Sequence, residues 1–234
     1  MLADLESINK RYTRVAKVAK TKDKDAVAEL AVLDKIKPVL EEGKSARTIE
    51  FTEEEQKIVK SLFLLTTKPI LYVANVSEDD VADADANHYV QEVRNFAAEE
   101  NAEVIVVSAR AEEEIAELDE EDKAEFLEAL GIEESGLDQL IRAAYDLLGL
   151  ATYFTAGEQE VRAWTFKKGI KAPQAAGIIH SDFERGFIRA ETVSFEDLDH
   201  YGNMHAAKEA GRVRLEGKDY VVQDGDVMLF RFNV

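Results

Sequence analysis

The 234-residue sequence contains no cysteine, which excludes a disulfide framework and any thiolate metal site. No apolar run approaches the roughly 20 residues of a membrane-spanning helix, and no secretory n-region and h-region opens the chain. A soluble cytosolic protein is the expectation. Positive charge is scarce: 29 Lys and Arg stand against 48 Asp and Glu, a net charge of −19 with a pI near 4.7. The chain as a whole therefore repels phosphate backbones. The four histidines, His88, His180, His200 and His205, lack zinc-protease spacing and read as structural or surface groups. The acidic run Glu112–Glu125 lacks the glycine pattern of a calcium loop and reads as a solvated helix face.

What is present can build a core. Hydrophobic residues make up 46% of the chain, and its length suits one large domain or two modest ones. The charge is uneven. Residues 151–234 hold 11 basic and 13 acidic side chains, a net of −2, and residues 1–150 hold the other 18 and 35, a net of −17. The C-terminal third is a candidate second domain.

Leu5, Ile8, Tyr12, Val15 and Val18 predict an amphipathic helix over residues 2–20. After a polar break a second helix carries Val27, Leu30, Leu33, Ile36 and Leu40, with Gly43 at its C-terminal cap. Pro38 is expected to bend or weaken its last turn. Two helices joined by a short polar loop predict an antiparallel helical hairpin. Thr52 and Glu55 have capping-box spacing and open a third helix. A strand over Ile70–Ala74, a helix over 86–99, a strand over Val104–Val107, an acidic helix over Glu112–Leu130 and a helix over Leu137–Leu148 follow. Strand–helix–strand–helix is the pattern of a parallel sheet covered by helices. Two strands are too few for one, because parallel strands are buried on both faces and need neighbours. This half reads as the end of an α/β domain whose beginning is absent.

Beyond Tyr153 the period shifts to short strands, at Val161–Phe166, Phe187–Val193, Tyr220–Val222 and Val227–Phe232. The last two flank Asp224-Gly225-Asp226, a hairpin-like turn. Pro173 opens a helix carrying Ala175, Ala176, Ile178 and Ile179. The expected product is a compact α+β module of about 80 residues, with a few strands around one helix.

The first strand runs into Asn75-Val76-Ser77-Glu78. An Asx-type turn before an acidic helix start is one reading. The other is a ligand loop, since open α/β sheets bind ligands beyond the carboxyl ends of their strands. Asn75 could read a base edge, and Glu78 could accept from an amino group. Ser108-Ala109 ends the next strand and is open to the same two readings. In P-loop GTPases, successive parallel strands end in Asn-Lys-x-Asp and Ser-Ala-Lys-like loops that surround the base. Here Val76 replaces the Lys and Glu78 the Asp. Both changes undo a guanine fit, because a site built for specific hydrogen bonds penalises the wrong base.

The stretches LADLESINKR, YVANVSEDD, VVSARAEEEIAELDEED and GLDQLIRAAYDLLGL resemble the YchF/Obg-like ATPases, GTPase-like P-loop proteins that use Asn-x-x-Glu and prefer ATP. So do TYFTAGEQEVRAWTFKKGIKAPQAAGIIHSDFERGFIRAE and GKDYVVQDGDVMLFRFNV, which resemble the TGS domain, a β-grasp module. The resemblance implies an α/β plus α+β fold in three parts: a coiled-coil insertion over residues 1–66, the C-terminal part of a P-loop nucleotide-binding (OBG-type G) domain over 67–150, and a TGS domain over 151–234. The phosphate-wrapping motif G-x-x-x-x-G-K-[ST] is absent. In the family it and the switch segments precede the coiled coil. The implied molecule is therefore the C-terminal portion of a cytoplasmic, ribosome-associated enzyme that hydrolyses ATP, and possibly GTP, to the diphosphate and phosphate with Mg²⁺. This chain alone is expected to be inactive, with no catalytic residue or metal ligand mapping onto it. Asn75, Val76, Ser77 and Glu78 would form the adenine-side loop, with Asn75 on the base edge and Val76 acting through its backbone. Ser108 and Ala109 would form a second base-side loop.

Lys167, Lys168, Lys171, Arg185 and Arg189 make a second candidate surface, with Trp164, Phe166 and Phe187 nearby in sequence. Basic groups interleaved with aromatics can track an RNA backbone and stack bases. A solvated turn beside core aromatics fits the same residues without any ligand. The association of TGS modules with RNA and ribosomes favours a ribosome or RNA contact there, and the coiled coil could hold a protein partner. The alternative to an ATPase fragment is a non-enzymatic RNA-, ribosome- or protein-binding module.

Overall fold

The computed structural model describes residues 1–157 and 160–233. The chain divides into two compact units, Met1–Ala143 and Ala144–Val234.

The first unit opens with α1 (Leu2–Ala19) and α2 (Lys24–Glu41), which bury Ile8, Val15, Val32, Leu33 and Ile36 in one core. Asp23 caps α2 by accepting the Ala26 N–H at 2.8 Å, and Arg11 of α1 pairs with Glu29 of α2. The turn after Pro38 stays helical to Glu41, and Leu40 remains buried. A proline forfeits one backbone bond, and packing of the final turn compensates for it. α3 (Glu53–Leu62) starts at the anticipated capping box. Glu55 N–H donates to Thr52 Oγ1 at 3.3 Å, and Thr52 N–H donates to Glu55 Oε2 at 3.0 Å.

β1 (Leu71–Asn75) leads through α4 (Glu78–Val81) and α5 (His88–Glu99) to β2 (Glu103–Val107). The strands pair in parallel, from Leu71↔Glu103 to Asn75↔Val107. β1 therefore takes in Asn75, one residue further than expected. α5 begins at His88 and not at Ala86, because the Asn87 side chain accepts the Tyr89 N–H at 3.0 Å. The acidic stretch is two helices, α6 (Ala109–Glu117) and α7 (Glu120–Leu130), separated where Leu118 and Asp119 are extended. α8 (Gly136–Leu148) abuts β2: a Cβ on Gly136 would stand 2.6 Å from Val107 Cγ1. Glu112 fixes its start by accepting the Gly136 and Leu137 N–H groups at 2.6 and 3.1 Å. With only two strands in this sheet, Val73, Tyr89 and Phe96 stay exposed.

The second unit contains β3 (Leu150–Ala156), β4 (Val161–Lys167), α9 (Ala172–Ile179), α10 (Ser181–Arg185), β5 (Phe187–Ser194), α11 (Phe195–Tyr201), α12 (Met204–Glu209), β6 (Arg214–Glu216) and β7 (Asp226–Phe232). The sheet order is β4-β3-β7-β5-β6, with β3 and β7 parallel and the other pairs antiparallel. Tyr153, Phe166, Ala175, Ala176, Met228 and Phe230 form the main core under α9. Val193, Ala207 and Val227 form a smaller core, packed by Leu198, Tyr201 and Met204 of α11 and α12.

The expected hairpin at Asp224-Gly225-Asp226 is not formed. Residues 220–222 contribute a single bridge, Lys171↔Val221, and β7 pairs with β5 and β3 instead. The turn docks on β3: Thr152 N–H donates to Asp224 Oδ1 at 2.7 Å, and Gly225 N–H donates to Thr152 O at 2.8 Å. α10, α11, α12 and β6 are additions to the anticipated single helix. Their short polar segments carry too little apolar periodicity to announce them.

Candidate nucleotide-base and RNA-binding sites

β1 and β2 end side by side, and their following loops are tied together. Val76 N–H donates to Val107 O at 2.9 Å. Asn75 Oδ1 accepts the Ala109 N–H at 2.9 Å. The Asn75 amide thus bridges from the end of β1 to the first residue of α6. Ser77 Oγ donates to Asp80 Oδ2 at 2.7 Å as the chain turns into α4. Ser108 is buried at 2% exposure, and its Oγ faces the Ala111 N–H at 3.5 Å as the N-cap of α6. Ser108 therefore shapes the loop, with its hydroxyl turned into its own helix.

Glu78 opens α4, and its Oε1 stands 3.1 Å from Arg110 Nε. That oxygen is buried yet has no directed hydrogen bond among the described residues. The contact with Arg110 is one of charge, without hydrogen-bond geometry. A buried acceptor left in this state gains from an arriving donor. Arg110 also lies 3.6 Å from Glu114 Oε1. Its importance was not evident beforehand, although its position directly after Ser108-Ala109 was a usable signal. The two loops border different cavities. One, of about 430 Å³, is lined by Val73–Ser77 with Asp80, Asn87 and Tyr89. The other, of about 380 Å³, lies along β2 and reaches Ser108, Ala111 and Gly136. Among the described residues no group of three His, Asp or Glu side chains could hold a metal ion.

The five basic candidates separate into two groups. Lys167 ends β4 opposite Leu150 at the start of β3, whereas Arg189 lies on β5 opposite Arg231 near the end of β7. β3 and β7 run parallel with Phe154↔Val227. At about 3.3 Å per residue the two groups stand roughly 25 Å apart along the strands. Lys168 donates to Asp146 at 2.8 Å, a bond that holds its pKa above the usual lysine value. Lys171 pairs with Asp219 at 2.7 Å and Arg185 with Asp182 at 3.2 Å. Lys167 and Arg189 have no ion-pair partner among the described residues. Phe166 and Phe187 are buried in the core. His180, read as structural or surface, caps α10 through Nδ1, which accepts the Asp182 N–H at 3.2 Å.

Residues 150–233 match the YchF-GTPase_C family model, described as a protein of unknown function (DUF933). The whole chain is 70% identical to the ribosome-binding ATPase YchF of Bacillus subtilis and spans 64% of its length. It is 54% identical to the ribosome-binding ATPase YchF of Haemophilus influenzae, all of the chain matching 63% of that protein. The structure of the Schizosaccharomyces pombe YchF GTPase superposes on 98% of this chain and 62% of its own, with a TM-score of 0.87 at 34% identity. Similarity this close over every element of both units has one reading: the chain belongs to the YchF family.

Proposed function

We propose that this chain supplies the base-recognition loops and the ribosome-contacting module of a YchF-type ATPase. The observation that carries the reading is the Asn75–Ala109 hydrogen bond, which holds two loops together at the carboxyl ends of adjacent parallel strands. The buried, undirected Glu78 Oε1 supports it, as an acceptor suited to an exocyclic amine. In this reading Asn75, Val76, Ser77 and Glu78 face the base of ATP, with Val76 contributing backbone. Ser108 and Ala109 set the second loop. Hydrolysis, with Mg²⁺ on the phosphates, belongs to the whole protein, because this sequence has no P-loop motif. α1 and α2 act as the coiled-coil insertion and a protein-contacting arm. The five-stranded sheet, with its parallel central pair, acts as a β-grasp TGS module.

The base assignment is tested in a longer protein of this family that carries the P-loop. Val76→Lys with Glu78→Asp is expected to move the ATP/GTP affinity ratio toward GTP by at least about tenfold. An unchanged ratio rejects base reading by this loop.

The ribosome contact is tested by co-sedimentation over a salt series. Contacts to phosphates release counterions, so binding should weaken steeply with salt. Lys167→Glu with Lys168→Glu should reduce pelleting at low salt and shift stability by less than about 0.5 kcal/mol. Equal pelleting at every salt concentration would move the contact to another surface.

A further inference from the structure

β3 and β7 lie side by side over a short stretch, and β3 then ends while β7 continues. Their register comprises Phe154↔Val227 alone among the described residues, although β7 continues to Phe232 and pairs with β5 along its length. Beyond that point a slot of about 530 Å³ opens between them, lined on one side by Ala156 and Trp164 and on the other by Leu229, Phe230 and Phe232, with Phe183 of α10 at its wall. The edge that borders the slot can be assigned. Thr152 O accepts the Gly225 N–H, so alternate residues of β3 (Thr152, Phe154, Ala156) turn their backbone groups toward β7. By the same alternation Met228, Phe230 and Phe232 turn theirs toward β3. β3 ends at Ala156, leaving the Phe230–Phe232 edge without a registered strand partner among the described residues.

Among the described residues that line the slot the one charged side chain is Glu160, which lies 3.8 Å from Arg162, the residue that covers the Trp164 ring at 4.1 Å. A lining whose one charge is acidic offers no attraction to a polyphosphate, which depends on uncompensated positive charge. It suits an apolar polypeptide segment, whose backbone groups can bond the strand edge. A strand edge without a registered partner among the described residues, beside an aromatic pocket, is the arrangement by which sheets capture extended peptides. Main-chain bonds supply affinity, and a pocket selects an alternate side chain.

We infer that this slot is a peptide-binding site. It takes an extended segment of a partner protein that adds a strand to β7 at Phe230–Phe232 and seats an aromatic or branched apolar side chain against Trp164 and Phe183. The site shares no residue with the base loops or with the Lys167–Lys168 turn.

The chain holds one tryptophan, and it lines the slot, so its emission reports occupancy directly. The full 234-residue chain is used to select from a phage-displayed library of random linear peptides, and the recovered peptides are synthesised and titrated. The expected result is peptides with apolar residues at alternate positions, a saturable shift in Trp164 emission, and slowed amide exchange at Phe230 and Phe232. Leu229→Arg, at the half-exposed mouth of the slot, should weaken binding at least about tenfold while leaving the circular dichroism spectrum unchanged. Lys167→Glu with Lys168→Glu should bind the peptides normally. Recovery of no peptide, or of peptides that leave both Trp164 and the Phe230–Phe232 amides unperturbed, overturns the inference. So does a shift of Trp164 emission by single-stranded oligouridylate that the peptides fail to displace. If Leu229→Arg proves misfolded, the amide-exchange result on the parent chain decides.

Discussion

Asp226→Ala is expected to destabilise the second unit by about 3 kcal/mol, the largest effect of any single carboxylate there. Asp226 is 2% exposed. Its Oδ2 accepts the Tyr220 hydroxyl at 2.7 Å and the Gln223 N–H at 2.9 Å, and its Oδ1 lies 3.3 Å from Arg214 Nη2. Burial, and then the bond to Asp226, push the Tyr220 hydroxyl up to about 12. Removing the carboxylate strands two of these donors in a site that water reaches poorly, and each buried donor left unpaired costs about 1–3 kcal/mol. Arg214 is half exposed and can turn to solvent, so the low end of the range for breaking a buried pair applies. Asp226→Asn keeps the shape and one acceptor and should lose roughly half as much. Urea unfolding followed by Trp164 fluorescence measures both, since that residue lies in the same unit. A change below about 1 kcal/mol for the alanine variant would mean that the network is not holding the Tyr220–Asp226 segment in place.

Acid is expected to weaken the first unit through Glu100 and Asp4. Glu100 Oε2 accepts the Tyr72 hydroxyl at 2.7 Å and Arg47 Nη1 at 3.0 Å, and its Oε1 accepts the Ser45 hydroxyl. Burial raises the carboxyl, but the bonds from Ser45, Tyr72 and Arg47 outweigh it and hold its pKa below the ordinary value of 4.5. Asp4, 4% exposed, behaves alike. Burial is outweighed by the Thr66 N–H at 2.7 Å and the Leu65 N–H at 3.0 Å, and its pKa lies below 3.8. A depressed folded pKa means that the unfolded chain binds protons first. The stabilisation is then complete above the ordinary carboxyl values and is lost as pH falls through them toward the folded ones. Urea midpoints by circular dichroism should therefore fall below about pH 4.5. Glu100→Gln should cost about 2 kcal/mol near neutrality, since it removes charge-assisted bonds from Tyr72 and Arg47. Its acid limb should be shallower than the parent's, because one of the part-buried carboxyls with a depressed pKa is gone. Parallel acid limbs for parent and variant would rule out the Glu100 linkage.

Local order was legible in the residues alone. α1, α2 and α3 follow from apolar spacings of three and four and from the Thr52–Glu55 box, because a helix is specified within a few residues of itself. β1 and β2 follow from apolar runs, and the loops at their ends from the polar residues that stop them. Asn75, Glu78 and Ser108 could be singled out in the same way. What each side chain does there could not. That Asn75 bonds Ala109, that Arg110 approaches Glu78, and that Ser108 turns inward depend on two strands coming into register.

The second unit shows the same limit at larger scale. Asp224-Gly225-Asp226 is chemically a turn, but whether its flanks form a hairpin depends on competition for β7, and β5 and β3 win it. Lys167 and Arg189 belong to one basic, aromatic-interleaved stretch of the sequence, yet the strand register places them roughly 25 Å apart along the strands. The residues by themselves determined α1, α2, α3, α5, α8 and α9, the cores of β1, β2, β4, β5 and β7, and the family motifs, all set by neighbours in the chain. Strand order, the short parallel register of β3 on β7, and the partners of the buried carboxylates were decided by tertiary structure alone, because they arise from pairings between segments distant in sequence.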